Sequence, residues 1–215
     1  MKISKPTEQE KRWAGEFGSK YIKRNYLSIA DAKKFYRTAY GVDPEKLNHE
    51  FLGKLDRSIK ILEVGCNIGI QLALLRTMGF TNLYGVEINQ DAAKKCRKIN
   101  PDINIVQGSA LDIPFKDGYF DLVFTAGVLI HISPRDVKQV MSEIHRCTKK
   151  YIWGWEYYAD TYTEINYRGN KNMLWKGNFA GVYQDSFKDM RLIKQKKVSY
   201  VADNNFDAMF LLKKV

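Results

Sequence analysis

The chain is poor in cysteine, histidine and proline, with three, three and five copies in 215 residues. Its thiols, at positions 66, 96 and 147, are odd in number and lack the paired spacing of a zinc site. They exclude a disulfide framework and argue for reduced thiols in a cytoplasmic protein. The scattered histidines form no Asp/Glu/His cluster, so no metal is expected. Long apolar runs are also missing. No stretch approaches the ~20 residues that cross a bilayer, and Met1 to Pro6 has no signal-peptide core. A soluble protein is expected. Internal repeats and low-complexity tracts are absent, and the length suits one domain with an extension.

Positive charge is abundant, at a net +11. More than half of the excess falls in the first sixty residues, which makes an anionic small-molecule substrate attractive. No RNA-binding signature or dense arginine patch is present, so nucleic acid is possible but not favoured.

The most informative stretch is Glu63-Val64-Gly65-Cys66-Asn67-Ile68-Gly69, which follows the apolar run Ile59-Lys60-Ile61-Leu62. A second apolar run ends about twenty residues later at the lone acid Glu87. The pattern describes a strand, a glycine turn, a helix and a second strand whose terminal carboxylate can hold ribose hydroxyls. Asn67 and Ile70 occupy the places where a dinucleotide fold needs its second and third glycines, which would crowd a pyrophosphate. No Gly-Lys-Ser/Thr closes the turn, so it is not a Walker loop. Glu63 puts negative charge beside the turn, which repels phosphate and suits a ligand bearing an ammonium and a sulfonium. S-adenosylmethionine carries both. Ile103 to Gln107 reads as a third strand, followed by a loop with Ser109 and Ala110 at the adenine edge. Tyr119 to Thr125 reads as a fourth strand running into Ala126-Gly127-Val128.

This order of motifs, over about residues 58 to 150, resembles a class I S-adenosylmethionine-dependent methyltransferase. The resemblance implies a Rossmann-like α/β fold: seven mostly parallel strands, a C-terminal antiparallel hairpin, helices on both faces and an N-terminal helical lid. It also implies cofactor contacts from Glu63, Gly65, Cys66, Asn67, Gly69, Glu87, Ile88, Ser109, Ala110, Thr125 and Gly127. The chain departs from the family at Asn67, usually glycine, and at Ser109, where an acid often holds the adenine amino group. Blocks outside the core, including Trp13 to Gly18, Tyr21 to Asn25, Glu156 to Tyr158 and Tyr167 to Lys171, are similar to methyltransferases found with pseudaminic acid biosynthesis. They imply a sugar or nucleotide-sugar substrate.

Residues 1–57 are expected to form the lid and residues 58–215 the methyltransferase domain. Two amphipathic helices, at 7–25 and 28–39, end at the turn Gly41 to Pro44, with Trp13, Phe17 and Tyr21 on one stripe. Tyr21, Arg24 and Asn25 at its end can reach a ligand. Asp136 to Arg146 reads as a helix, Tyr151 to Trp155 as a fifth strand, and 192–200 with 206–212 as the terminal hairpin. The aperiodic stretch at about 157–182 reads as a substrate loop, with Tyr157, Tyr167, Arg168, Lys171 and Trp175 as binding residues. Arg168 and Lys171 could fork a carboxylate or phosphate. Candidate bases end strands at the cofactor crevice: His131 after the fourth and Glu156 after the fifth. His49 reads as linker. The expected activity is methylation of oxygen or nitrogen on a small anionic sugar-type molecule. Alternatives are an RNA or protein methyltransferase, or a non-catalytic cofactor-binding protein.

Overall fold

The structure is a computed structural model that describes residues 5–24 and 28–215. Helices α1 (Glu8–Ala14), α2 (Glu16–Arg24), α3 (Ile29–Tyr40) and α4 (Pro44–Leu52) precede β1 (Lys60–Val64). Then follow α5 (Ile70–Thr77), β2 (Asn82–Glu87), α6 (Gln90–Ile99), β3 (Asn104–Gln107), β4 (Phe120–Ala126), α7 (Val137–Cys147) and β5 (Thr148–Tyr157). A small pair, β6 (Thr163–Glu164) and β7 (Trp175–Lys176), leads to α8 (Phe179–Ser186), β8 (Met190–Ser199) and β9 (Phe206–Lys214).

Seven strands form one sheet in the order β3-β2-β1-β4-β5-β9-β8. The first five run parallel, and β9 is antiparallel to both neighbours. This is the Rossmann-like sheet with a terminal hairpin that the motif order implies. Strand periodicity sorts side chains onto two faces. In β1, Ile61 joins a core with Leu72, Leu75 and Phe124, while Leu62 and Val64 join one with Val140, Met141 and Ile144 from α7. Both β1 and β4 lie mid-sheet and are buried almost throughout, as strands covered on both faces must be.

The N-terminal region divides differently from the expected 1–57 lid. Tyr36, Leu47, Phe51 and Leu52 are buried in the main core, so α3 and α4 belong to the body. Helix α4 lies where a linker is predicted. Pro44 is its first residue, where a missing N–H costs nothing, and the Asp43 side chain accepts from Glu45 N. His49 is therefore helical. Only α1 and α2 remain as a cover, separated by Gly15, and α1 opens with a capping box between Thr7 and Glu10.

The predicted 157–182 loop is also more regular than its composition implies. It holds the β6–β7 pair, a tight turn in which Tyr167 and Asn170 exchange backbone hydrogen bonds, and the start of α8. Arg168 and Gly169 at the tip have φ of 53° and 77°, the left-handed pair of a type I′ hairpin.

Gly154 in β5 is fixed by packing: a Cβ there would lie 2.1 Å from the Phe210 ring. Phe210 is buried mid-strand and cannot swing away. Gly154→Ala is expected to lower unfolding free energy by about 1–3 kcal/mol, as overpacking does. Denaturant titration reads this, and an unchanged midpoint would show that the ring yields.

Candidate active site

At the carboxyl ends of the parallel strands lies a cavity of about 510 Å³, the position where open α/β sheets bind ligands. Its wall includes Glu63, Gly65, Cys66, Asn67, Glu87, Ile88, Ser109, Ala110 and Gly127 from the cofactor side. Tyr21, Arg24, His131, Tyr157, Tyr167 and Arg168 line it as well. Asn25 falls outside the described residues.

The turn after β1 is held by Glu87. Asn67 N–H donates to Glu87 Oε2 at 2.8 Å and Asn89 N–H to Oε1 at 2.7 Å. Burial pushes the Glu87 pKa up, and these backbone donors pull against it. Asn67 takes φ of 50°, a left-handed conformation that asparagine tolerates better than most residues, so it performs the backbone task of the usual glycine. A Cβ on Gly65 would meet Val128 at 2.7 Å, which explains glycine there. Gly69 does not line the cavity. A Cβ on it would strike Cys96 Sγ at 2.5 Å, so it serves close packing of α5 against α6. Cys66 is buried, and its hydrogen bond with Cys96 together with burial pushes its thiol pKa up, which keeps it neutral.

Three buried polar atoms in this wall have no hydrogen-bond partner among the described residues: Glu63 Oε2 and Asn67 Oδ1 beside the turn, and Trp13 Nε1 on the cover. Such atoms are costly unless a ligand meets them. Burial, with Cys96 and Glu87 nearby, pushes the Glu63 pKa well up, and a cation in the cavity would reverse that shift. The residues present therefore fit a ligand with an ammonium, a sulfonium and a ribose.

The cover is latched to both sides of the cavity. Asn89 Nδ2 donates to the carbonyls of Trp13, Ala14 and Gly15 at 3.1–3.3 Å, and the Ser109 hydroxyl donates to the Glu10 carboxylate. Ser109 thus meets an acid carried by α1. On the far side, Arg12 reaches Asn170 Oδ1 at 3.1 Å and Gln9 reaches the Asn172 carbonyl at 3.1 Å. Trp13 lies 4.6 Å from the His131 ring, which lies 5.3 Å from Tyr167.

His131 and Glu156 differ from their predicted role as bases. The imidazole Nδ1 sits 2.7 Å from the Met173 carbonyl, and burial lowers its pKa to about 4. It joins the cover to the hairpin as a neutral, weakly basic ring. Glu156 does not line the cavity. Trp155 and Tyr157 take that face of β5, so Glu156 points to the other. Its carboxylate accepts from Val128 N and Ile130 N at 3.2 and 3.3 Å, capping the 3-10 turn Leu129–His131, and the Thr125 hydroxyl bonds to it. Thr125 is consequently turned away from the cavity too. Lys171 is exposed on the hairpin, and buried Trp175 pairs with Glu164 in β6–β7; neither lines the cavity. Sequence reading overlooked Glu10, Tyr40, Trp155, Tyr200 and Asp207, all in the wall. Asp207 had a signal: an acid inside the apolar run Phe206 to Leu212.

Residues 62–151 match the family profile described as a methyltransferase domain. Over this stretch the chain is similar to S-adenosylmethionine-dependent methyltransferases. An uncharacterised methyltransferase of Synechocystis sp. is 32% identical over 90 residues, covering 42% of each chain. A sterol methyltransferase-like protein of Botryococcus braunii is 27% identical over 184 residues, 80% of this chain and 46% of that one. The chain thus spans less than half the length of these curated relatives. Among solved structures, geranyl diphosphate C-methyltransferase from Streptomyces coelicolor, with S-adenosyl-L-homocysteine, superposes with TM-score 0.71 at 13% identity, covering 99% of this chain and 100% of that one. The Burkholderia thailandensis 1,6-didemethyltoxoflavin-N1-methyltransferase gives 0.70 at 13% identity, covering 99% and 93%. The methyltransferase domain therefore carries the expected fold.

Glu87→Ala is expected to weaken S-adenosylhomocysteine at least about tenfold, since a charged hydrogen bond contributes roughly 1.5–3 kcal/mol. Calorimetry on a folded variant decides this, and unchanged affinity rejects the ribose assignment. Burial raises the Glu156 pKa from 4.5 to about 7, so between these values the folded state binds more protons than the unfolded state. Stability from this group is then fully present at low pH and falls as pH rises through that window. Glu156→Gln is expected to flatten that part of the stability profile while cofactor affinity stays near wild type. A large loss of cofactor affinity would return Glu156 to the site.

Proposed function

We propose that this chain methylates oxygen or nitrogen on a small anionic molecule of sugar or nucleotide-sugar type, enclosed beneath α1 and α2. One observation carries the reading: a single cavity joins the unpartnered oxygens of Glu63 and Asn67 to an aromatic half, under a cover latched to both sides. A space of about 510 Å³ suits a small molecule rather than a docked polymer. Arg24 and Arg168 lie in its wall and supply the positive charge an anionic group needs. The aromatic wall offers faces for a ring, and the blocks similar to pseudaminic acid-associated methylases support a sugar.

When bound, S-adenosylmethionine supplies an electrophilic methyl group on sulfur. Glu87 would hold its ribose hydroxyls, and Glu63 with Asn67 its cationic amino acid end. The protein's own share of catalysis is orientation and exclusion of water. Methyl transfer is an in-line displacement, so holding acceptor and methyl in line accounts for much of the rate. Trp13, His131 and Tyr167, in ring contact over the cavity, would keep that geometry closed.

Incubation with labelled cofactor and a panel of acidic sugars, sugar nucleotides and RNA tests the reading. Transfer to a sugar is expected. Transfer to RNA alone would reject it. With the accepted sugar, Arg168→Ala is expected to raise the apparent Michaelis constant and leave kcat nearly unchanged, as removal of an interaction common to ground and transition states does. Unchanged substrate dependence would reject the anionic anchor.

A further inference from the structure

On the β5–β9 side of the cavity lies a buried acid. Asp207, at the start of β9, is 6% exposed. Its Oδ2 accepts from the Tyr40 hydroxyl at 2.6 Å and the Trp155 indole N–H at 2.8 Å, and its Oδ1 accepts from the Tyr200 hydroxyl at 3.1 Å. The two tyrosine oxygens are 3.2 Å apart, with ring centroids at 4.7 Å. Four separate segments, the end of α3, β5, the residue after β8 and β9, converge on this point. All four side chains line the cavity. The cluster stands one strand over from the cofactor half: Gly127 N–H, just past β4, donates to the Trp155 carbonyl at 2.8 Å.

Counting protons shows what this pole offers a ligand. Each tyrosine hydroxyl has one proton, and Tyr40 and Tyr200 both donate theirs to Asp207. Their short mutual contact therefore has no proton of its own. Each phenolic oxygen is left with lone pairs, and so is Oδ1 of Asp207. Trp155 has already given its N–H. The pole can only accept, and it is set among the rings of Tyr36, Trp155 and Tyr157. An acceptor-only pole in an aromatic wall selects a ligand group that donates a hydrogen bond, because an analogue without the donor leaves buried lone pairs unmet.

We propose that Tyr40 and Tyr200, held by Asp207, are the acceptor subsite, and that they take the hydroxyl or amine N–H of a ring-bearing substrate. This rests on the methyltransferase reading above. The proton that the methylated group sheds passes to a tyrosine oxygen while that tyrosine's own proton passes to Asp207. One proton leaves the substrate and one arrives on the carboxylate, which becomes a carboxylic acid. Tyr40 and Tyr200 are then the contacting residues and Asp207 the positioning one. Burial raises the Asp207 pKa, against the pull of Tyr40, Trp155, Tyr200 and the more distant Lys176, so the carboxylate is poised to receive that proton.

Calorimetry with the full chain tests this without knowledge of the natural substrate. The protein is saturated with S-adenosylhomocysteine and titrated with phenol and with anisole, which shares the ring but cannot donate. Phenol is expected to bind at least about tenfold more tightly, the worth of a hydrogen bond of about 1.4 kcal/mol. The double variant Tyr40→Phe/Tyr200→Phe is expected to bind both probes equally, with S-adenosylhomocysteine affinity unchanged. Tyr200→Phe alone, the milder change, should lose part of the preference. Equal binding of the probes by wild type, no phenol binding, or a preference that survives in a folded double variant would each overturn the subsite. Failure of S-adenosylhomocysteine to bind wild type would instead overturn the methyltransferase reading on which the subsite rests.

Discussion

The pair of backbone hydrogen bonds to Glu87 is the constraint on which the site depends. A carboxylate buried at the end of β2 must find donors, and it takes them from Asn67 in the turn after β1 and from Asn89 at the start of α6. Two strand ends and two helix starts are thereby locked into one rigid unit. Close packing reinforces it, since Gly85 has no Cβ and Cys66 Sγ presses within 2.6 Å of where one would be. Asn89 then passes the constraint on. Its Oδ1 accepts from Asp91 and Ala92 N–H at the start of α6, while its Nδ2 satisfies carbonyls at the end of α1. The cover is thus registered to the same unit that carries Glu63 and Glu87.

Charge is arranged in the opposite sense from the chain's overall excess. The net +11 invites the reading that the substrate meets a basic surface. In the structure many of those cations sit outside, in ion pairs such as Lys33 with Glu45 and Lys194 and Lys196 with Glu50. Exposed pairs of this kind contribute little to stability. The cavity wall instead carries Glu10, Glu63, Glu87, Asp136 and Asp207 against Arg24 and Arg168. An acidic interior suits the sulfonium and ammonium of a methionine end.

The sheet and the cofactor turn were legible because local signals coincide there: apolar runs of strand length, a turn with positive φ, and one acid closing the next strand. Misreadings arose where a local signal has two physical meanings. Pro44 reads as a breaker and is a first helical residue. Glu156 ends the correct strand, but its neighbour Trp155 takes the cavity face, and strand parity sends the carboxylate to the other side. Whether an acid at a strand end faces a crevice depends on register, which the residue type alone does not carry. Glu10 had no signal at all, and the single acid in an apolar run that marks Asp207 could not show what it meets. Their partners, Ser109 for the first and Tyr40 with Trp155 for the second, lie far away in sequence and meet only after the sheet has formed.

Helix α1 has seven residues, too few to be stable alone, and it buries no residue fully. It is held by what it spans: Ser109 and Asn89 on the cofactor half, Asn170 and Asn172 on the hairpin, and the rings of Trp13, His131 and Tyr167 between them. Each contact is individually modest, and each ties α1 to a different part of the cavity rim. Opening the cavity must therefore break contacts to both halves at once, or carry the hairpin along with the helix. A cover that depended on one half alone could close over a half-built site. Because this one draws on the β1–β2 unit and the hairpin together, it sits over a site in which Gly127, His131 and the Tyr40–Tyr200–Asp207 pole share one cavity.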